Sequence, residues 1–231
     1  MAASSPIRVA SYNLRKCRGT DGRRDPARVL DVIGALGADV VALQEADLRL
    51  GARPAALPPA MVEAESDFEL VRLAASPVSI GWHGNAILLR KGMAHGAPRR
   101  IELPGLEPRG AVAVDLDALR IVGVHLGLLR RYRRAQLAQL RERLAALPPL
   151  PTVITGDFNE WRLNRGLEPL DGAYKAHAPG RSFPTRRPMA ALDRVALSHD
   201  LALQDAGVND SPLARRASDH LPIWADIIPA G

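Results

Sequence analysis

Hydrophobic positions along the chain fall in short runs, and their spacing switches repeatedly between a period near two and a period near four. Ile7 to Leu14 is apolar and alternating, which predicts a first strand. Asp25 followed by Pro26 has the form of an N-cap and first helical position. Val29, Leu30, Ile33 and Leu36 then line one face before Gly37 stops the helix. Asp39 to Glu45 is short and continuously apolar, as a strand covered on both faces should be. Leu48 to Pro59, rich in Arg, Ala and Pro, reads as a loop. Strands are predicted at Phe68 to Leu73, Ala86 to Arg90, Arg99 to Leu103, Ala111 to Leu116 and Leu119 to Leu126. The Pro and Gly residues between several of them suit an antiparallel meander. A helix from about Arg131 to Leu147 carries Leu137, Leu140, Leu144 and Leu147 on one stripe and ends at Pro148-Pro149. Thr152 to Gly156 reads as a strand, Leu163 to Leu170 as a short helix and Ala173 to Arg187 as a loop. Arg194 to Leu197, Leu201 to Val208 and Leu221 to Ile227 read as closing strands. No linker divides the pattern, so a single domain over residues 1–231 is expected.

Composition narrows the class. With 231 residues and 47% apolar content the chain can bury a large core, and disorder is excluded as its main state. The lone Cys17 excludes an internal disulfide and a multi-cysteine metal site. The N-terminal stretch lacks a long apolar core, and no run approaches the roughly 18 apolar residues of a membrane helix. A cytoplasmic protein without stable membrane insertion is therefore expected. The formal net charge is +6, and only Lys16, Lys91 and Lys175 are lysines. Arginine, the better fork for phosphate oxygens, supplies nearly all of the positive charge.

Candidate chemistry lies where polar residues interrupt the apolar strands, because a carboxylate beside a buried strand costs free energy unless something compensates it. Asn13 ends the first strand, Glu45 ends DVVALQ and His125 ends LRIVGV. Asp157 and Asn159 follow TVITG, Asp193 opens DRVAL, and Asp219-His220 precede LPIWADI. Singly, each has an ordinary explanation: a turn residue, a solvated strand end, a hydrogen-bonded core histidine. If the later strands run antiparallel to the earlier ones, however, all of these residues reach one edge. Four carboxylates so gathered repel one another unless a cation or a shared proton intervenes. An oxygen-rich set without cysteine favours Mg²⁺ or Mn²⁺ over zinc.

Taken together, these residues resemble the endonuclease/exonuclease/phosphatase superfamily, which includes deoxyribonucleases, abasic-site endonucleases, sphingomyelinases and inositol polyphosphate 5-phosphatases. The likeness is carried in order by SYNLR around Asn13, VALQEAD around Glu45, GNAIL around Asn85, RG at Arg109, VHLG around His125, GDFNEW around Asp157, LDRV around Asp193 and SDHLPI around Asp219. GDFN and SDHLP are fairly specific as a pair. The resemblance implies an α/β fold, a four-layer α/β/β/α sandwich of two mixed sheets with flanking helices. It also implies a divalent-metal-dependent phosphoesterase. Glu45 would be the principal metal ligand, supported by Asn13 and Asp219. Asp157 would orient or deprotonate the attacking water, and Asn159 would hold that water or a phosphate oxygen. His220 would contact the scissile phosphate, Asp193 would fix its ring, and His125 would be a second catalytic histidine. The number of metal ions stays open.

The basic residues suggest how an anionic substrate would be held. Arg130 and Arg131 open the helix after the His125 strand, and Arg133 falls on its apolar stripe, so this first turn is expected to overhang the mouth. Arg109 and Asn85 complete the expected substrate contacts. Aromatic content of 4% argues against base stacking as the mode of single-strand binding. GDFNEW is not followed by the helix that abasic-site enzymes place there, and the loops are short, which suits a compact bacterial-type member. A monomeric phosphodiesterase or nuclease acting on a phosphate-ester substrate such as nucleic acid is the first expectation. A phospholipid-head-group or inositol-phosphate-type phosphatase is the second. A catalytically silent phosphate- or nucleic-acid-binding module is the alternative of another class.

Overall fold

The computed structural model describes residues 5–74, 76–163 and 165–230. Twelve strands form two six-stranded mixed sheets. The first has the order β11-β12-β1-β2-β4-β3 and the second β5-β6-β7-β8-β10-β9. In the first sheet, β1 (Ile7–Asn13) and β2 (Val40–Gln44) run parallel at the centre. They are flanked by the antiparallel β12 (Ile223–Pro229) and β4 (Ala86–Arg90). The second sheet repeats this plan. Parallel β7 (Arg120–His125) and β8 (Thr152–Asp157) lie between the antiparallel β6 (Gly110–Asp115) and β10 (Asp193–Ser198). The edge strands are β3 (Phe68–Leu70), β5 (Arg99–Glu102), β9 (Tyr174–His177) and β11 (Leu201–Val208).

Three apolar layers hold the sandwich. Val9, Val40, Ile87, Val112, Ile121, Val153 and Ile223 interdigitate between the two sheets. Helices α1 (Pro26–Gly34), α2 (Pro59–Glu65) and α4 (Pro212–Ala217) cover the outer face of the first sheet through Val29, Ile33, Val62 and Ala214. Helix α3 (Arg130–Ala145) covers the second through Leu137, Leu140 and Leu144. This is the expected four-layer sandwich. The alternation of each strand decides its place: Val40 faces the other sheet while Val41 and Leu43 face the helices, as a period of two requires.

Several local expectations are corrected. The loop from Leu48 leads into α2, a helix whose seven residues bury only Val62 and so give little periodicity. The segment Ala173 to Arg187 contains β9, an edge strand whose middle residues are both exposed. The short helix expected at Leu163 to Leu170 is reduced to one 3-10 turn, Glu168–Leu170. Helix α4 was not anticipated. Its signals were Ser211, whose hydroxyl accepts the Ala214 N–H, and Pro212 at the first position, but six residues are too few for a stripe.

The plan sends the strand ends that bear the candidate residues to one edge. The four central strands end there at Asn13, Gln44, His125 and Asp157, and the four flanking strands begin there after Asn85, Arg109, Leu192 and Pro222. Asp157 is in register with His125 on one side and Asp193 on the other. Gly156 makes this register possible. Its φ is +150°, and a Cβ there would lie 2.0 Å from the Val124 carbonyl oxygen of the neighbouring strand. Gly156→Ala should therefore lower stability by about 3 kcal/mol or more. Equilibrium urea unfolding measures this, and an unchanged midpoint would contradict the close approach.

Candidate active site

At the shared edge the carboxylate of Asp157 is the hub. Its Oδ2 accepts from Asn13 Nδ2 at 3.0 Å and lies 3.5 Å from His125 Nε2 and 3.7 Å from His220 Nε2. Its Oδ1 accepts the Asn159 backbone N–H at 2.9 Å. The second carboxylate, Asp193, is fully buried. Its Oδ2 meets His220 Nδ1 at 2.9 Å and also accepts from the Ser182 hydroxyl. Ser218 closes the arrangement by donating to the Asn13 carbonyl at 2.7 Å and accepting the His220 backbone N–H, which ties the SDH loop to the end of β1. Asn13, His125, Asp157, Asn159, Asp193 and His220 thus form one buried network.

The electrostatics follow from burial. Burial opposes charge on the His220 imidazole, but Asp193 and Asp157 together outweigh it and hold its pKa up at about 10. Asp157 is pushed above the ordinary carboxylate range, chiefly by burial, with His220 pulling it back and Asp193 adding to the rise. His125 is driven well below its usual value by burial and then by Arg109, so it is neutral. The two histidines thus differ in charge state: one cation and one neutral ring face the same carboxylate.

Glu45 stands just past β2 with φ +52° and lines a cavity of about 330 Å³ shared with Lys16, Arg49, Arg53, His83, Arg109 and His125. Lys16 Nζ forms an ion pair with Glu45, and Arg15 Nε lies 3.1 Å from Asp219. Arg15, Lys16 and Cys17 all have positive φ. Such a run of left-handed non-glycine residues is costly and is retained where surrounding contacts fix it. Here the Leu14 N–H donates to Gln44 and the Lys16 N–H to Glu45 across the two strand ends. Sequence reasoning missed Arg15 and Lys16, although both sit in the SYNLRK segment beside Asn13.

The remaining expected residues are placed as follows. Arg109 is buried, pairs with Glu107 at 2.8 Å and lines the cavity. Asn85 is fully buried and donates to the Gly110 carbonyl at 3.0 Å, fixing the start of β6. Arg130 is exposed on the first turn of α3 and pairs with Glu168, and Arg131 lies over the Tyr132 ring; neither lines the cavity beside Glu45. Arg133 faces inward as its stripe position requires. It meets Glu160 at 2.9 Å and donates to the Gly127 and Leu128 carbonyls, so it braces the loop after β7. Phe183 packs tilted against His220 with centroids 4.8 Å apart, and Trp161 abuts Phe183 edge-on. The sequence pattern did not single out Phe183, since a ring that packs from a loop leaves no period to read.

Comparisons with known proteins agree with this geometry. The model of the Endonuclease/Exonuclease/phosphatase family matches residues 10–220. The chain belongs to that family. Members are hydrolases acting on phosphate esters, and so is this protein. It is 36% identical over 178 residues to Escherichia coli K12 uncharacterized protein YbhP, covering 70% of this chain and 68% of that one. Among solved structures it resembles the endonuclease/exonuclease/phosphatase from Bacteroides vulgatus (TM-score 0.75, 16% identity, 98% of this chain and 100% of that one). It also resembles D. rerio TDP2 complexed with single strand DNA product (TM-score 0.74, 18% identity, 97% of this chain and 99% of that one).

Enzymes of this family typically use divalent metal ions. Among the described residues no three His, Cys, Asp or Glu side chains converge as ligands. A hard ion nonetheless fits, because Mg²⁺ is commonly bound by one or two carboxylates with water and substrate oxygens completing its shell. Glu45 and Asp219 each already pair with a cation, Lys16 and Arg15 respectively.

Two measurements follow. The raised pKa of His220 means that its stabilising charge is fully present below about pH 6.5 and is lost as pH rises through its folded value. In EDTA, stability of the native chain should fall across that interval, and Asp193→Asn should flatten the fall; parallel curves would contradict the pairing. Lys16→Met should tighten calorimetric Mg²⁺ binding about two- to fivefold by removing a competing cation. Unchanged affinity would separate Lys16 from the metal pole.

Proposed function

We propose that the protein is a Mg²⁺- or Mn²⁺-dependent phosphodiesterase whose reaction centre is the Asp157–His220–Asp193 cluster. The single observation that carries this reading is the His220 imidazole held cationic by two carboxylates at the strand edge. Glu45, with Asn13 and Asp219, would hold the ion. Bound there, it supplies neutralisation of charge on the phosphate and on the leaving oxygen.

The chain's own residues supply the rest. Asp157 accepts a proton from the attacking water, aided by a pKa raised toward working pH. Asn13 and the Asn159 N–H fix the direction of its carboxylate. The Asn159 side chain donates to the Leu126 carbonyl at 2.9 Å, which fixes its carboxamide beside the hub. His220 donates to a phosphate oxygen through Nε2 while Asp193 holds Nδ1, so Asp193 is a positioning residue. His125, neutral, hydrogen-bonds the phosphate from the other side of Asp157, and Arg109 steers the anion from the cavity wall.

Nucleic acid is the first substrate proposed, in keeping with the basic surface and with the single-strand DNA product bound by D. rerio TDP2. A phospholipid-head-group ester is the second, favoured by the apolar side chains exposed on the loops around the mouth.

Turnover of bis-(p-nitrophenyl) phosphate should require Mg²⁺ or Mn²⁺ and be abolished by EDTA. Asp157→Ala and His220→Ala should each lower kcat by about 10²–10⁴. Full activity in either variant would refute the assignment. The rate should also climb with pH on the acid side as Asp157 loses its proton, and decline on the alkaline side as His220 loses its own.

A further inference from the structure

Among the described residues, seven large apolar side chains are more than half exposed, with exposures from 52% to 86%. All seven lie on the loops that leave or enter the strand edge bearing the active site. Leu50 follows β2, Leu106 precedes β6, Leu128 and Leu129 follow β7, Trp161 and Leu163 follow β8, and Met189 precedes β10. Among the described residues the opposite edge and the helical layers carry none above one half, Leu213 on α4 being 39% exposed. Isolated exposed apolar residues are ordinary, but a set gathered on the loops of one strand edge marks a contact surface.

The same loops are basic. Exposed arginines accompany the apolar residues: Arg49 beside Leu50, Arg130 and Arg131 after Leu129, Arg162 and Arg165 about Leu163, and Arg186 and Arg187 before Met189. Exposed acids on these loops are Glu168 and Asp171, and Glu168 is already paired with Arg130 and Arg134.

We propose that this rim seats the mouth on an anionic lipid bilayer, with the apolar side chains entering the head-group boundary and the arginines meeting lipid phosphates. Charge and chemistry select this occupant over others. Five leucines and a methionine cannot stack on bases, so a nucleic acid would leave six of the seven unused. A second copy presenting the same face would set like-charged arginines against each other. No described helix is long and apolar enough to cross a membrane, so the contact is at the surface. The inference rests on the loops and not on the proposed reaction.

The test is sedimentation of the full chain with vesicles of phosphatidylcholine alone or with about one third phosphatidylglycerol. The chain should co-sediment with the anionic vesicles. Leu128→Asp/Leu129→Asp should lower that binding by at least about tenfold. Both changes are exposed and outside the reaction centre, so turnover of the soluble diester should be unchanged; Leu128→Ala/Leu129→Ala should give an intermediate loss. No sedimentation with anionic vesicles, binding retained in the Asp pair, or loss of single-strand DNA binding or of dimerisation in place of vesicle binding would overturn the proposal. Failure of the reaction assignment would instead appear as absent diester turnover, whatever the vesicles show.

Discussion

Two carboxylates buried at adjacent strand ends around one imidazole are the constraint on which the rest of the structure depends. Asp157 and Asp193 are in register on β8 and β10, and both are almost wholly removed from water. Charges so placed cost several kcal/mol each unless paired and hydrogen-bonded. His220 meets that cost from a third chain segment, anchored by Ser218 to the end of β1. The two sheets are therefore joined at the edge by polar contacts as well as through the apolar layer between them. The unusual backbone collects there as well: among the described residues, Arg15, Lys16, Cys17, Glu45, Arg53, His83 and Asn159 are the non-glycine residues with positive φ. Strain of this kind persists where neighbouring contacts over-determine it, and a preformed polar site provides such contacts.

A gradient of charge compensation runs across this edge. At the Asp157 end the carboxylate is matched from within by His220. Glu45 is matched by Lys16 and Asp219 by Arg15, both cations on a left-handed turn and partly open to solvent. The residues proposed to handle protons and those proposed to hold a metal are separated in this manner, although Asn13 touches both sides: its Nδ2 donates to Asp157 and its Oδ1 accepts the Arg15 N–H at 3.0 Å.

Much of this was legible in the sequence, for identifiable reasons. Strands β1, β2, β7 and β8 are apolar runs ending in Asn13, Gln44, His125 and Asp157, and a polar residue that stops an apolar strand stands out against its neighbours. Helix α3 was readable because sixteen residues display a full stripe, even to the inward-facing Arg133, whose partner Glu160 lies 27 positions away and could not be paired by spacing. Short or exposed elements left no such trace: α2 and α4 are under two turns of buried surface, and β9 faces solvent at its centre. Side chains that work from loops were equally silent. Phe183 against His220, Ser182 on Asp193 and the Lys16–Glu45 pair depend on where loops fold back, which no local period records.

The central claim is that Asp193 acts through His220 as one unit in phosphodiester hydrolysis. A double-variant comparison of diester turnover tests it most directly, using Asp193→Asn, His220→Gln and their combination. Residues that act as a unit are strongly non-additive. The double variant should turn over bis-(p-nitrophenyl) phosphate no more slowly than His220→Gln alone, whereas losses that simply multiply would contradict the coupling.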